Sequence, residues 1–192
     1  MRTRRYCSMA ALVGVLATAI TIGIAQERES PRPDLSGRWR LNRELSENAE
    51  AKLKAVRSES PAGHPAGGVM AGLAGLFGGP QQAQMREARG LLLDASPSFV
   101  LTQDGDRIVL TDGNGRVRTL TASGRKEKID GRDVQTRWDN RWLLSETSLG
   151  NVKVIEAYER LADAPQLIVT TTMEMRGREL SVRRVYDAEG VH

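Results

Sequence analysis

Phe99-Val-Leu-Thr-Gln-Asp-Gly-Asp-Arg-Ile-Val-Leu-Thr111 sets two alternating apolar runs on either side of Asp104-Gly105. A short loop containing Asp-Gly between such runs is a strong hairpin signal. The same punctuation recurs through to Asp187. Asp112-Gly-Asn-Gly115, Ser123-Gly124, Asp130-Gly131, Asp139-Asn140, Gly150-Asn151, Asp163-Ala-Pro165 and Gly177 each precede a further short alternating segment. Glycine and asparagine accept the positive backbone angles of tight reversals, so their spacing dictates where the chain turns back. Regular strands at this spacing predict one antiparallel up-and-down sheet, closed or nearly closed into a barrel.

Upstream, Leu35-Ser-Gly-Arg-Trp-Arg-Leu-Asn42 alternates Leu35, Gly37, Trp39 and Leu41 with polar residues, the period of a half-buried strand. Between Asn42 and Ser98 the character changes. Ser46-Glu47 followed by Ala49, Leu53 and Val56 predicts a capped amphipathic helix ending near Glu59. Pro80 opens a second helix, with Met85, Ala88, Leu91 and Leu92 on one face. Between these helices lies a Gly- and Ala-rich stretch bearing Val69, Met70, Leu73, Leu76 and Phe77. Such side chains gain roughly 1.5 to 3 kcal/mol each on full burial. Three arrangements are open: the two helices plug one barrel end with this loop packed between them, the loop is a mobile lid or a patch that docks on a membrane surface or an envelope protein, or it is disordered.

A strand carrying Gly37-x-Trp39, an up-and-down meander and a late arginine resemble the calycin and lipocalin-like barrels. The set Leu-Ser-Gly-x-Trp-x-Leu-Asn, Leu101-Thr-Gln-Asp-Gly, Thr111-Asp-Gly, Thr136-Arg-Trp-Asp and Arg-x-Val-Tyr-Asp187 is similar to uncharacterised secreted bacterial proteins with a lipocalin-like domain. The resemblance covers nearly all of the chain after the leader. It implies a mainly β, lipocalin-like barrel of about 8 to 10 strands with a helical, Gly-rich insert after the first strand. It also implies that Gly37, Trp39 and Arg184 close the barrel base, with Arg184 over the tryptophan. The long insert departs from the usual lipocalin plan.

Arg2, Arg4 and Arg5, an uncharged apolar run from Met9 to Ile24, and Gly23-Ile24-Ala25 before Gln26-Glu27-Arg28 form the pattern of a secretory signal peptide. The expected organisation is residues 1–25 as leader, 26–34 as a polar tether with Pro31 and Pro33, and 35–187 as one barrel domain with its insert at 43–97. The leader takes three of the 28 basic residues and none of the 24 acidic ones, so the exported chain is nearly neutral. The high pI is thus largely an export signal, and nucleic acid is not an expected partner. Cys7, the single cysteine, also leaves, which excludes a disulfide framework or thiol nucleophile. His64 and His192 are the two histidines, too few for a histidine-rich metal site. No cofactor motif, P-loop, HExxH or nucleophile elbow occurs, and a non-enzymatic protein is expected.

Side-chain parity places Val134, Thr136 and Trp138, then Trp142, Leu144 and Glu146, then Val154, Glu156 and Tyr158, then Val169, Thr171 and Met173, then Val182, Arg184 and Tyr186 on one face. If that face is the interior, Glu146, Val154, Glu156, Tyr158, Thr171 and Met173 are candidate ligand-binding positions, and buried Glu146, Glu156 and Arg184 require pairing. Trp138 and Trp142 flank one turn and are expected to pair across it. The favoured function is non-catalytic binding of a small apolar or amphipathic molecule inside the barrel. The alternatives are an envelope interaction protein acting through Val69 to Phe77, and a hydrolase using Glu146 and Glu156. Intact mass of the protein exported by its own host should place the first residue at Gln26; a chain still beginning at Met1 would contradict export by cleavage.

Overall fold

The computed structural model describes residues 32–58 and 80–190. The expected leader with its cleavage site at Ala25, most of the expected tether, and Val69, Met70, Leu73, Leu76 and Phe77 lie outside the described residues. Ten strands follow the expected turns: β1 (Gly37–Asn42), β2 (Ser98–Asp104), β3 (Arg107–Asp112), β4 (Val117–Thr121), β5 (Lys126–Ile129), β6 (Arg132–Asp139), β7 (Trp142–Leu149), β8 (Val152–Arg160), β9 (Gln166–Met175) and β10 (Arg178–Ala188). Among the described residues, two helices, α1 (Ala49–Ser58) and α2 (Pro80–Leu93), fall between β1 and β2. The strands form a single antiparallel sheet in the order β4-β3-β2-β1-β10-β9-β8-β7-β6-β5. It is the expected up-and-down architecture, curled into a half-barrel whose ladder is open between β4 and β5.

Tight reversals hold the register. Ile129 pairs with Arg132 across Asp130-Gly131, and Met175 with Arg178 across Arg176-Gly177. In both loops the two residues take positive φ (51° and 79°, 49° and 74°), the combination whose twist matches flanking strands.

At the base, Leu35 and Trp39 are fully buried with Leu101, Ile108, Leu120, Leu143 and Leu167. The Trp39 indole N–H donates to the Leu35 carbonyl at 3.1 Å. A Cβ at position 37 would lie 3.3 Å from the Trp39 ring, so the glycine of Gly-x-Trp leaves room for the indole. The arginine above that ring is Arg160, 5.6 Å from its centroid, and not Arg184. Trp39 stands opposite Ala188 in the ladder, four residues along β10 from Arg184, too far along the strand for the expected contact.

The other end is closed by α2. Ala88 packs fully buried on Leu149, Val152 and Val154, with Met85, Leu91, Met173 and Met175 around them. The N-cap of α1 is Asn48, whose side-chain oxygen accepts from the Ala51 N–H at 3.0 Å. Ser46, the expected cap, instead bridges elements: its hydroxyl donates to the Asn42 carbonyl at 2.6 Å and accepts from the Val185 N–H at 2.9 Å.

Strand β7 has the opposite parity to the one expected. Asp139 pairs with Trp142 across a two-residue turn, so Trp138 meets Leu143 and shares its face. Leu143, Ser145, Thr147 and Leu149 are therefore interior, whereas Trp142, Leu144 and Glu146 face outward. The two tryptophans lie on opposite faces and form no cross-strand pair. Replacing Trp39 with alanine should cost about 3 to 5 kcal/mol, the usual penalty for emptying a large aromatic site, measured by denaturant unfolding. A loss below about 1 kcal/mol would show that the base does not hold the sheet.

Candidate functional site

Between the base and α2 the interior is not filled by apolar side chains. A cavity of about 240 Å³ lies there. Its apolar wall is Phe99, Leu110, Val169 and the rings of Tyr158 and Tyr186, with Leu91 of α2 above. Phe99 and Tyr186 meet edge to face, ring centroids 4.8 Å apart, which fixes the phenol. The mouth is formed by residues 94–97 after α2, the β3–β4 turn around Asp112 to Arg116, and Asp130 with Arg132. Arg132 also binds Glu87 of α2, tying the helix to the rim.

Two arginine-centred polar clusters face the cavity. Arg118 reaches inward from β4, forming an ion pair with Glu156 at 2.8 Å and donating to the Tyr158 hydroxyl at 2.6 Å. The Tyr158 hydroxyl in turn donates to Glu156 at 3.2 Å. Burial disfavours the charged form of Arg118, but the Glu156 carboxylate and Tyr158 outweigh it and raise the guanidinium pKa above its ordinary value. The Tyr158 pKa is raised, first by burial and then by the Glu156 carboxylate, despite the opposing effect of Arg118.

The second group is Arg184, 4% exposed. It donates to the Thr171 hydroxyl at 3.2 Å and to the Leu92 carbonyl in the last turn of α2. Both acceptors are neutral, and no carboxylate among the described residues forms an ion pair with it. A guanidinium carries five N–H donors, so donors remain for something else in the cavity. Among the described residues, no group of three or more His, Cys, Asp or Glu is placed to hold a metal ion.

Of the predicted positions, Glu156, Tyr158 and Thr171 line the cavity. Val154 and Met173 do not: they pack beneath α2 in the second core cluster. Glu146 is outside the barrel, 3.0 Å from Lys153, because the β6–β7 turn reverses the parity of its strand. The pair of carboxylates proposed for hydrolysis is therefore split between opposite faces of the sheet. The sequence reading missed Arg118. Its signal was available in Arg118 and Leu120, which share a face two residues apart in a segment whose leucine faces the core.

No family model and no curated protein matches the chain. Among solved structures it is similar to wild-type fluorescent protein UnaG, at 14% identity and TM-score 0.45, covering 81% of this chain and 97% of that one. It is similar also to zebrafish ileal bile acid-binding protein complexed with cholic acid, at 13% identity and TM-score 0.43, covering 80% and 98%. A luciferase domain from the dinoflagellate Lingulodinium polyedrum matches at 14% identity and TM-score 0.40, covering 82% of this chain and 45% of that one.

The chain from Gln26 onward has two tyrosines, Tyr158 and Tyr186. Burial pushes the Tyr186 phenol up to about 12. Ultraviolet titration should then show no phenolate step at the ordinary 10.0, with Tyr186 ionising at about 12. Because the folded pKa is raised, the stability this phenol contributes is complete below pH 10.0 and is lost as pH rises toward about 12. A step near 10 in the folded protein would contradict its burial.

Proposed function

We propose that this chain binds, without turnover, a small amphipathic molecule bearing an anionic group, its apolar part lying against Phe99, Leu110 and Val169. The observation that carries this reading is Arg184: a buried guanidinium facing a cavity, with neutral acceptors only and donors to spare. An unpaired buried charge is costly, and an incoming anion supplies the missing partner. Thr171, opposite Glu156 on the neighbouring strand, orients the guanidinium from below. A volume of about 240 Å³ favours a compact ligand, since drug-sized sites start at about 300 Å³. The split of Glu146 from Glu156 supports binding over paired-carboxylate chemistry. Export through the leader places this activity outside the cytoplasm in the same reading.

Native mass spectrometry of the protein purified from its own host should reveal a retained small acid. Calorimetry should show decanoate binding and decanol, the same chain without the charge, binding far more weakly. Charge-assisted hydrogen bonds contribute about 1.5 to 3 kcal/mol, so Arg184→Met should weaken decanoate by about 10- to 100-fold. Equal affinity of decanoate and decanol would refute the anionic reading.

A further inference from the structure

We infer that Glu156 acts as a charge filter that restricts the cavity to ligands whose head carries a single negative charge. This rests on the anion-binding reading above and adds to it a rule for which anions enter.

The charges around the cavity are largely committed to one another. Arg118 is held by Glu156 at 2.8 Å and by the Tyr158 hydroxyl, so it is spoken for. At the mouth, Arg116 pairs with Asp112 at 3.5 Å, and Arg132 pairs with Glu87. Among the described residues lining the cavity, Arg184 is the arginine without a carboxylate partner. One anionic oxygen pair completes it.

A second negative charge on the same head would meet Glu156. Thr171, whose hydroxyl takes an Arg184 N–H, stands directly across from Glu156 in the β8–β9 ladder. Residues so opposed have Cβ atoms about 4.5 to 5.5 Å apart, so an anion seated on Arg184 is a near neighbour of the glutamate. The Glu156 side chain is 18% exposed and Arg184 4%, and like charges withdrawn from solvent to this degree repel more strongly than in water. Asp94 and Asp130 at the rim bring further negative charge to the approach. Glu156 thus does two things: it removes Arg118 from competition for the ligand, and it rejects the dianion.

Three probes isolate charge from bulk. Octylmalonate is decanoate with a second carboxylate on its α carbon, and its monomethyl ester keeps that branch with one charge. Calorimetry at about pH 8, well above ordinary carboxyl pKa values, ionises every free carboxyl of the three probes. Wild-type protein should bind decanoate and the monoester comparably, and octylmalonate at least about tenfold more weakly, the scale of one like-charge encounter. Glu156→Gln frees Arg118, so octylmalonate should then bind at least as tightly as decanoate. Equal wild-type affinity for decanoate and octylmalonate overturns the filter, as does a monoester as weak as the diacid, or a folded Glu156→Gln protein with unchanged preference. Should that variant fail to fold, the wild-type comparison of the three probes decides. Failure of all three to bind removes the binding reading itself; decanoate binding without discrimination removes only the filter.

Discussion

Every other part of this molecule is placed by one six-residue strand, β1, which pairs with β2 on one side and β10 on the other. The earliest strand of the fold therefore joins its latest strand to the rest of the meander. Because β2 runs back along β1, the chain leaves β1 at Asn42 and returns at Ser98 at the same end of the barrel. The helices have no choice of location: α1 and α2 sit over that end. The opposite end receives Leu35, Trp39 and the guanidinium of Arg160. A hydrophobic seal at one pole and a helical cover at the other follow from a single pairing.

The space between the poles is where the sequence departs from simple core packing. Replacing a buried ionic group with apolar side chains of similar volume is often neutral or stabilising, so its presence is weak grounds for a structural role. Arg118 with Glu156 and Tyr158 is nearly self-sufficient. Arg184 is not, and it also holds the final turn of α2 through the Leu92 carbonyl, where a cation complements the helix dipole. The interior therefore combines a charge-paired cluster with one whose cation has neutral partners only.

The turns were legible because glycine and asparagine report backbone angles directly, and with them came strand number and antiparallel order. Faces were legible wherever the loop length was read correctly. One two-residue loop at Asn140-Arg141 inverted the assignment of β7 and carried Glu146 to the wrong side. The interior position of Arg184 could be read from alternation, but its partner could not: alternation says which face a side chain takes, and only the ladder register says how far along the strand it lies. For the same reason Arg160, in a segment with no unusual pattern, was invisible as the cover of Trp39. Asn48 and Ser46 are equally good caps by chemistry, and the tie was broken by the β10 backbone, which claims Ser46.

The opening between β4 and β5 has a bearing on how this protein behaves in a crowded solution. An open sheet exposes two rows of unpaired backbone groups, each a template for another chain. Here the two free margins are consecutive in sequence, joined by residues 122–125, which hydrogen-bond to Asp106 and Thr136 and hold the margins near one another. One margin, β5, carries exposed Lys126 and Lys128, and the long side chain of Arg118 spans inward from the other. The half-barrel stays open on one side without offering a flat, neutral border along which copies could stack into fibres.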